Sequence, residues 1–179
     1  MKFIEQDVKK VLVSSEQIEE RCLELAREIE VDYDDKTPML LCLLNGALPF
    51  MATLVKNIRT DIEFQCVKVS SYAGTSTTGD VSLGSFDVSK FEGRDVLIVE
   101  DIVDTGLTIK KVIEYLNSLG VKSVEVITLL DKPSRREVEV SPKYIGFTIP
   151  NEFVIGFGLD YNEKYRNLPY VGVLKEEAI

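Results

Sequence analysis

The fold is decided by residues 96–120, which read VLIVEDIVDTGLTIKKVIEYLNSLG. This stretch opens with Val96–Val99, the most strand-like run of apolar residues in the chain. Carboxylates and a short turn follow, and apolar residues then recur at helical spacing until Gly120. The pattern predicts a strand, a loop and a helix, which is the unit from which parallel α/β sheets are built.

The segments on both sides of this unit repeat its organisation. Ser14, with Gln17 three residues later, forms a predicted capping box before the first helical segment. We expect helices over residues 14–30 and 47–58, and strands over residues 39–44, 62–69, 124–130 and 153–159. No linker or internal repeat divides the sequence. Residues 1–179 are therefore predicted to form one α/β domain with a mainly parallel central sheet flanked by helices.

The charge of the chain limits the partners it can have. Its 30 acidic and 21 basic side chains give a formal net charge of -9. Such a surface repels nucleic acid and anionic membranes. A substrate that carries phosphates would have to be held by backbone N–H groups, a few placed cations and a bound metal ion.

Cysteine usage and the amino terminus predict a cytoplasmic location. Cys22, Cys42 and Cys66 are odd in number and lie in apolar surroundings. This pattern favours buried free thiols in a reducing compartment over a disulfide framework. The first residues, MKFIEQD, contain no apolar signal region, and no apolar run approaches the ~20 residues of a membrane span.

Three carboxylates, Glu100, Asp101 and Asp104, follow the most apolar strand directly. The chain has no histidine, so acid–base chemistry must use carboxylates, lysine, tyrosine or cysteine. Ligands of open parallel sheets bind beyond the carboxyl ends of the strands, and carboxylates so close together repel one another. A metal ion, a polyol or a proton-transfer task would explain them. The alternative is a solvated acidic turn in which Asp104 only caps the next helix.

An anion-binding loop is predicted beside these carboxylates. It consists of Asp104 with Thr105, Gly106, Leu107 and Thr108. The loop offers short hydroxyl side chains, a glycine that permits close backbone approach, and the free N–H groups of a helix N-terminus. Carboxylates next to a phosphate site suggest a ligand with hydroxyls at one end and a phosphate at the other, which describes a ribose 5-phosphate.

Residues 96–108 resemble the phosphoribosyl-pyrophosphate binding motif of type I phosphoribosyltransferases. The resemblance extends from about Met39 to the end of the chain and includes several shorter motifs. These are the first pyrophosphate loop at Asn45-Gly46, a flexible catalytic loop that opens at Ser71-Tyr72, a purine-contacting lysine at Lys132, and the C-terminal signature of the hypoxanthine-guanine branch at residues 153–154 and 158–166. The family fold implies a small hood over the purine site, made from both ends of the chain.

The resemblance also implies roles for the residues around the sugar. Glu100 and Asp101 would bind the ribose hydroxyls directly or through Mg²⁺, a hard cation that prefers oxygen ligands. Asp160 would reach a second Mg²⁺ through water. Asp104 would lie near N7 of the purine and remove a proton as C1 of the ribose is attacked.

The purine and pyrophosphate sites follow from the same resemblance. Lys132 would donate to the 6-oxo group, because a protonated lysine offers donors only. Arg166 would pair with pyrophosphate. The remaining base contacts are stacking by Phe153, closure of the opposite face by Ile102 and Leu159, and backbone pairing by Val154. Asn45 stands where the family commonly has lysine or arginine, which puts pyrophosphate affinity and subunit contacts in question.

The implied function is purine salvage by a transferase. The chain would move the 5-phosphoribosyl group from phosphoribosyl pyrophosphate to hypoxanthine or guanine, giving IMP or GMP and pyrophosphate, as a homodimer or homotetramer. Three alternatives stay open: a xanthine-preferring relative, a regulator that senses phosphoribosyl pyrophosphate on the same fold, and a purely structural α/β domain. The sequence does not rank the 6-oxopurines, and the charge disfavours a nucleic-acid-binding regulator.

Overall fold

The computed structural model describes residues 3–71 and 81–178. Its helices are α1 (Ser15–Asp32), α2 (Leu48–Val55) and α3 (Leu107–Ser118). Its strands are β1 (Val8–Val13), β2 (Met39–Leu44), β3 (Glu63–Ser71), β4 (Val81–Leu83), β5 (Asp95–Val103), β6 (Ser123–Asp131), β7 (Tyr144–Thr148), β8 (Val154–Ile155) and β9 (Val171–Leu174). Within these ranges no helix is both long and apolar enough to cross a bilayer.

A six-stranded sheet forms the centre of the molecule, in the order β4-β3-β2-β5-β6-β7. All neighbouring pairs are parallel except β3 and β4, which are antiparallel. The carboxyl ends of β2, β3, β5, β6 and β7 therefore meet at one edge, which we call the carboxyl edge; the opposite edge is the amino edge. The α/β class and the mainly parallel sheet predicted from the sequence are confirmed.

Both faces of this sheet are buried, and β5 shows how its sequence achieves this. Leu97 and Val99 pack into the hydrophobic cluster that contains residues of α1 and α2. Val96 and Ile98 point to the other face and pack with the buried residues of α3. Strands covered on both faces are apolar at consecutive positions, which explains the continuous apolar runs of β2 and of residues 96–99 in β5.

A second, smaller sheet combines the two ends of the chain. Its antiparallel strands lie in the order β1-β9-β8, so the N-terminal strand pairs with the last strand of the chain. Ile155, Tyr165, Leu168 and Leu174 form its own buried cluster. This sheet is the small hood that the family resemblance implies.

Most expected elements are found, with differences at their ends. The capping box of α1 is confirmed, because Ser14 and Gln17 make both reciprocal hydrogen bonds. The strand predicted at 96–99 continues to Val103, so Glu100 and Asp101 lie within β5 and not after it. The helix expected over 47–58 is shorter.

The strand expected over residues 153–159 is wrong for most of its length. Only β8 is extended, and it belongs to the hood and not to the central sheet. Gly156, Phe157 and Gly158 have φ values of 93°, 47° and 100°, which turn the chain back on itself. The apolar character of this segment reflects burial in a turn, because Leu159 packs into the main core.

Candidate active site

Most of the predicted site residues converge on the carboxyl edge. Ser71 is the last residue of β3, and Tyr72 lies outside the described residues. Glu100, Asp101 and Ile102 occupy the end of β5, whereas Lys132 directly follows β6. The register brings the two strand ends level, since Val103 pairs with Asp131. The sheet topology thus joins segments that are far apart in sequence.

Glu100 and Asp101 form a part-buried pair of carboxylates. The Asp101 N–H donates to Oε1 of Glu100 at 3.0 Å, and the Ile102 N–H donates to Oδ1 of Asp101 at 2.7 Å. Burial, followed by the neighbouring Asp101 charge, raises the pKa of Glu100 well above its usual value. Burial also raises the pKa of Asp101, although the positive charge of Arg166 acts in the opposite direction. Two repelling carboxylates in a shielded position favour a cationic or hydroxyl-rich ligand.

The Asn45-Gly46 turn lies directly against this pair. A Cβ atom on Gly46 would lie 1.6 Å from Oδ2 of Asp101, so only glycine permits the approach. The backbone of Gly158 closes on the same turn, because a Cβ atom there would lie 1.9 Å from the Gly46 carbonyl oxygen. The peptide bond between Leu44 and Asn45 is cis. The predicted pyrophosphate loop and C-terminal signature are therefore in contact.

The predicted anion-binding loop connects β5 to α3. Gly106 is the N-cap of α3 with a φ of 85°, and it makes no side-chain cap. A cavity of about 120 Å³ lies here and is lined by residues 100–106 with Thr108 and Ile109. The N–H groups at the start of a helix and the threonine hydroxyls give this cavity the chemistry of a phosphate site.

Asp104 is not the cap of α3, which removes the alternative that its only role is to start that helix. Its Oδ1 lies 2.9 Å from Nε of Arg135. Arg136 donates from its own Nε to the Asp104 backbone carbonyl at 3.1 Å. Asp104 thus has partners that differ from those of the Glu100–Asp101 pair, although all three residues line the smaller cavity.

A cavity of about 390 Å³ opens next to Asp104, between the central sheet and the hood. Its lining includes five predicted base-contacting residues: Ile102, Lys132, Phe153, Val154 and Leu159. The Phe153 side chain is 48% exposed, and its ring meets that of Tyr161 edge to face with centroids 5.6 Å apart. An exposed aromatic ring held in place by a second ring offers a flat stacking surface.

Lys132 is buried at the bottom of this cavity with 6% exposure. Its backbone N–H donates to the Val103 carbonyl at 3.0 Å, which fixes the residue beside β5. Burial lowers the pKa of the Lys132 ammonium; Asp104 opposes this shift and Arg135 adds to it. A buried donor at a cavity that is partly lined by apolar side chains matches a ligand that presents an acceptor oxygen.

Arg166 folds back onto the C-terminal signature. Its Nη1 donates to the Gly158 carbonyl at 2.7 Å, and its Nη2 lies 3.0 Å from Oδ1 of Asp160. Glu163 also contacts Nη2, at 3.2 Å. The other oxygen of Asp160 accepts the Glu163 N–H at 2.9 Å. Arg166 therefore lies near the Asn45-Gly46 turn with acidic partners already in place.

The carboxylates of the site are the residues that could hold a divalent cation. Across residues 3–71 and 81–178, no three or more histidine, cysteine, aspartate or glutamate side chains gather in a metal-binding group. Magnesium is commonly held by only one or two carboxylates together with substrate oxygens and water. The Glu100–Asp101 pair fits this pattern, because the hydrogen bonds found for it in the described part of the chain come from backbone N–H groups and not from a cation.

Three residues that contact the site have no role predicted from the sequence. Arg135 and Arg136 both hold Asp104, and Tyr161 supports the Phe153 ring. Two consecutive arginines after Lys132 are a detectable signal in an acidic chain. Their contacts with Asp104 cannot be inferred from spacing, since α3, β6 and a turn separate the two segments.

Comparison with known proteins gives consistent matches. A profile of the phosphoribosyl transferase domain matches residues 11–162. The hypoxanthine-guanine phosphoribosyltransferase of Lactococcus lactis is 51% identical over 178 residues, which cover 99% of this chain and 97% of that protein. The bifunctional protein TilS/HprT of Listeria monocytogenes is 45% identical over 172 residues, 96% of this chain; the match spans only 26% of that longer protein.

Solved structures agree with this result. A crystal structure of a hypoxanthine phosphoribosyltransferase from Staphylococcus aureus superposes with a TM-score of 0.93 at 44% identity, covering 100% of this chain and 99% of that one. A hypoxanthine-guanine phosphoribosyltransferase from Bacillus anthracis, with a HEPES molecule in its active site, gives a TM-score of 0.89 at 39% identity and covers 94% of this chain and 99% of that one.

Proposed function

This chain belongs to the phosphoribosyl transferase domain family, and we propose that it transfers the 5-phosphoribosyl group of phosphoribosyl pyrophosphate to hypoxanthine and guanine. The observation that carries the proposal is the arrangement along the carboxyl edge. A loop suited to a phosphate, a pair of carboxylates and a cavity with a buried lysine follow one another there. They correspond in order to a 5′-phosphate, a ribose and a 6-oxopurine.

The sugar phosphate would occupy the smaller cavity. Thr105, Gly106, Leu107 and Thr108 would bind the 5′-phosphate with backbone N–H groups and hydroxyls. Glu100 and Asp101 would bind the ribose hydroxyls, either directly or through magnesium, and Asp160 would reach a second magnesium through water. When bound, magnesium would neutralise negative charge that develops on the departing pyrophosphate. Favourable contact with these ligands would offset the repulsion between the two carboxylates.

Asp104 would act as the general base. In the reaction the bond between C1 of the ribose and the pyrophosphate oxygen breaks, and a bond from C1 to N9 of the purine forms. The proton on N7 leaves at the same stage and passes to Asp104. Asp104 lines the base cavity, and a carboxylate within hydrogen-bond reach of N7 is suited to this task.

Lys132 would select 6-oxopurines over adenine. Its ammonium offers only donors, which match the carbonyl at position 6 and repel the amino group that adenine carries there. Phe153 would stack on one face of the base, with Ile102 and Leu159 against the other face. The Val154 backbone would pair with the purine edge.

The pyrophosphate would lie between the Asn45-Gly46 turn and Arg166. Arg166 offers a planar set of donors that suits phosphoryl oxygens, once it exchanges its contacts with Asp160 and Glu163 for the ligand. Asn45 contributes no cation here, so we propose that binding relies on the backbone of the turn. Ser71 and Tyr72 begin the segment that would close over the reacting centre and exclude water.

The proposal is tested by a spectrophotometric assay with phosphoribosyl pyrophosphate and magnesium against four bases in parallel. We expect turnover with hypoxanthine and guanine and none with adenine. Faster turnover of xanthine would support the xanthine-preferring alternative. Tight binding of phosphoribosyl pyrophosphate without turnover of any base would reject the enzyme in favour of the sensor. A homodimer or homotetramer and a cytoplasmic location stay predictions, and sedimentation would test the first.

A further inference from the structure

The turn that follows Lys132 holds Asp104 at two points. Arg135 contacts the side-chain carboxylate, and Arg136 contacts the backbone carbonyl of the same residue. Resting on the proposed function of Asp104 as the base, we infer that Arg135 is a positioning residue: it holds one carboxylate oxygen so that the other is presented to N7 of the purine.

The two oxygens of Asp104 have different environments. Oδ1 is buried and lies 2.9 Å from Nε of Arg135, although the N–H is not aligned for a regular hydrogen bond. The Asp104 side chain as a whole is nevertheless 38% exposed. Since Oδ1 contributes almost nothing to this exposure, the accessible part of the side chain includes the rest of the carboxyl group. Asp104 and Arg135 both line the larger cavity, where the proposed purine would lie.

The backbone on both sides of this contact is fixed. Residues 133–135 form a short 3-10 turn, and the Arg135 N–H donates to the Lys132 carbonyl at 3.1 Å. Arg136 also pairs with Asp131 and donates to the Val140 carbonyl. The Glu137 N–H donates to the Thr105 carbonyl at 2.9 Å. The segment after β6 is thus joined directly to the loop that carries Asp104.

A fixed backbone does not by itself orient a carboxylate. The last torsion of an aspartate side chain has a broad energy profile, so its two oxygens exchange places or tilt at little cost. A cation in contact with one oxygen limits this freedom through its charge, even without an aligned hydrogen bond. Lys132 lies in the same cavity, but its proposed partner is the base; Arg135 is the cation in contact with the Asp104 carboxylate.

The inference is tested with purified full-length variants in steady-state assays on hypoxanthine. Arg135→Ala is expected to lower kcat by about 10- to 100-fold, the scale of losses caused by small misplacement of a reacting group. KM for phosphoribosyl pyrophosphate is expected to change less than about twofold. Arg135→Lys, which restores a donor with poorer geometry, is expected to recover part of kcat. Arg59→Ala is the matched control, since it removes a carboxylate-paired arginine at the amino edge.

A double-mutant cycle separates positioning from a general structural role. In an Asp104→Asn background, adding Arg135→Ala is expected to cost less than about twofold further, because the arginine acts only through the aspartate. A full multiplicative loss in the double variant, or wild-type kcat in Arg135→Ala, would overturn the inference. Arg135→Gln gives the same readout if the alanine variant does not fold. Wild-type protein without any transfer activity would instead reject the proposed function itself.

Discussion

Both edges of the central sheet carry carboxylates, but the pKa values of these carboxylates are shifted in opposite directions. At the amino edge, each of the carboxylates Glu30, Asp32 and Asp95 has a hydrogen-bonding partner and a lowered pKa. At the carboxyl edge, Glu100 and Asp101 neighbour one another and have raised pKa values. The paired carboxylates of the amino edge stabilise the fold. At the carboxyl edge, Glu100 and Asp101 repel each other, and a bound ligand would relieve this repulsion.

The amino edge is neutralised within the protein. Arg59 lies 2.7 Å from Glu30 and lowers the pKa of that carboxyl to about 2. The Tyr144 hydroxyl donates to Asp32 at 2.7 Å, and Lys143 lies 3.0 Å from the same oxygen. These contacts join the end of α1 to the segment before β3 and to the start of β7. Because these carboxylates already have partners within the protein, they do not require a ligand to balance their charge.

At the carboxyl edge, where the proposed chemistry occurs, Glu100 and Asp101 are not neutralised in this way. Among the described residues, the hydrogen bonds found for Glu100 and Asp101 come from backbone N–H groups and not from a cation, and Lys132 is buried. Such arrangements cost stability and persist when a function requires them. The four experiments below test this contrast, in order of decreasing expected effect.

Asp104→Asn tests whether the carboxyl edge performs proton transfer. Loss of the general base is expected to lower kcat by roughly 10²–10⁴-fold, while KM for phosphoribosyl pyrophosphate changes little. Steady-state kinetics with hypoxanthine measure both constants. Turnover close to that of the wild-type protein would remove Asp104 from the chemistry and weaken the contrast between the edges.

Lys132→Ala tests whether the buried lysine serves the base. Hydrogen bonds to charged groups contribute about 1.5–3 kcal/mol, so KM for hypoxanthine is expected to rise by about 10- to 100-fold. KM for phosphoribosyl pyrophosphate should stay near its original value. Lys110→Ala, which removes an exposed lysine on α3, is the control. An unchanged KM for hypoxanthine would exclude Lys132 from the base site.

Glu100→Gln tests whether repulsion between Glu100 and Asp101 destabilises the folded protein. Because the folded-state pKa of Glu100 lies above its unfolded value, its ionised form destabilises the fold, increasingly as pH rises above that unfolded value. Removing about 1 kcal/mol of repulsion would raise Tm by about 2–4 °C without magnesium. Thermal melts should show a larger gain at pH 8 than at pH 5, with loss of activity. Glu114→Gln, on the exposed side of α3, should show no such gain.

Arg59→Ala tests whether the carboxylate Glu30 at the amino edge stabilises the fold through its charge. The pKa of Glu30 is lowered from 4.5 to about 2, so its stabilising contribution is complete above pH 4.5 and is lost as the pH falls through 2. The variant should therefore be slightly less stable than the wild-type protein at pH 7. Urea midpoints should converge as the pH drops below about 4.5. A difference that persists unchanged at acid pH would mean that Arg59 acts through packing and not charge.

The elements predicted well are those whose signals are local. The β5–α3 unit and the α1 capping box depend on neighbouring residues, and their sequence patterns identify them. Strands β1, β7 and β9 were missed, because their stability depends on distant partners; Val13, for example, pairs with Val171. The strand predicted over residues 153–159 is wrong because a buried turn and a buried strand both give a run of apolar residues in the sequence.

The sequence by itself determined which groups are available and at which edge of the sheet they lie. Strand polarity places Glu100, Asp104 and Lys132 at the carboxyl ends of parallel strands, and this follows from chain order alone. Only the tertiary structure decided their environments: the burial of Lys132, the approach of Gly46 to Asp101, and the contact of Arg135 with Asp104. The physical reason is that composition and periodicity act over a few residues, whereas pKa, orientation and specificity depend on contacts between segments that only the folded chain brings together.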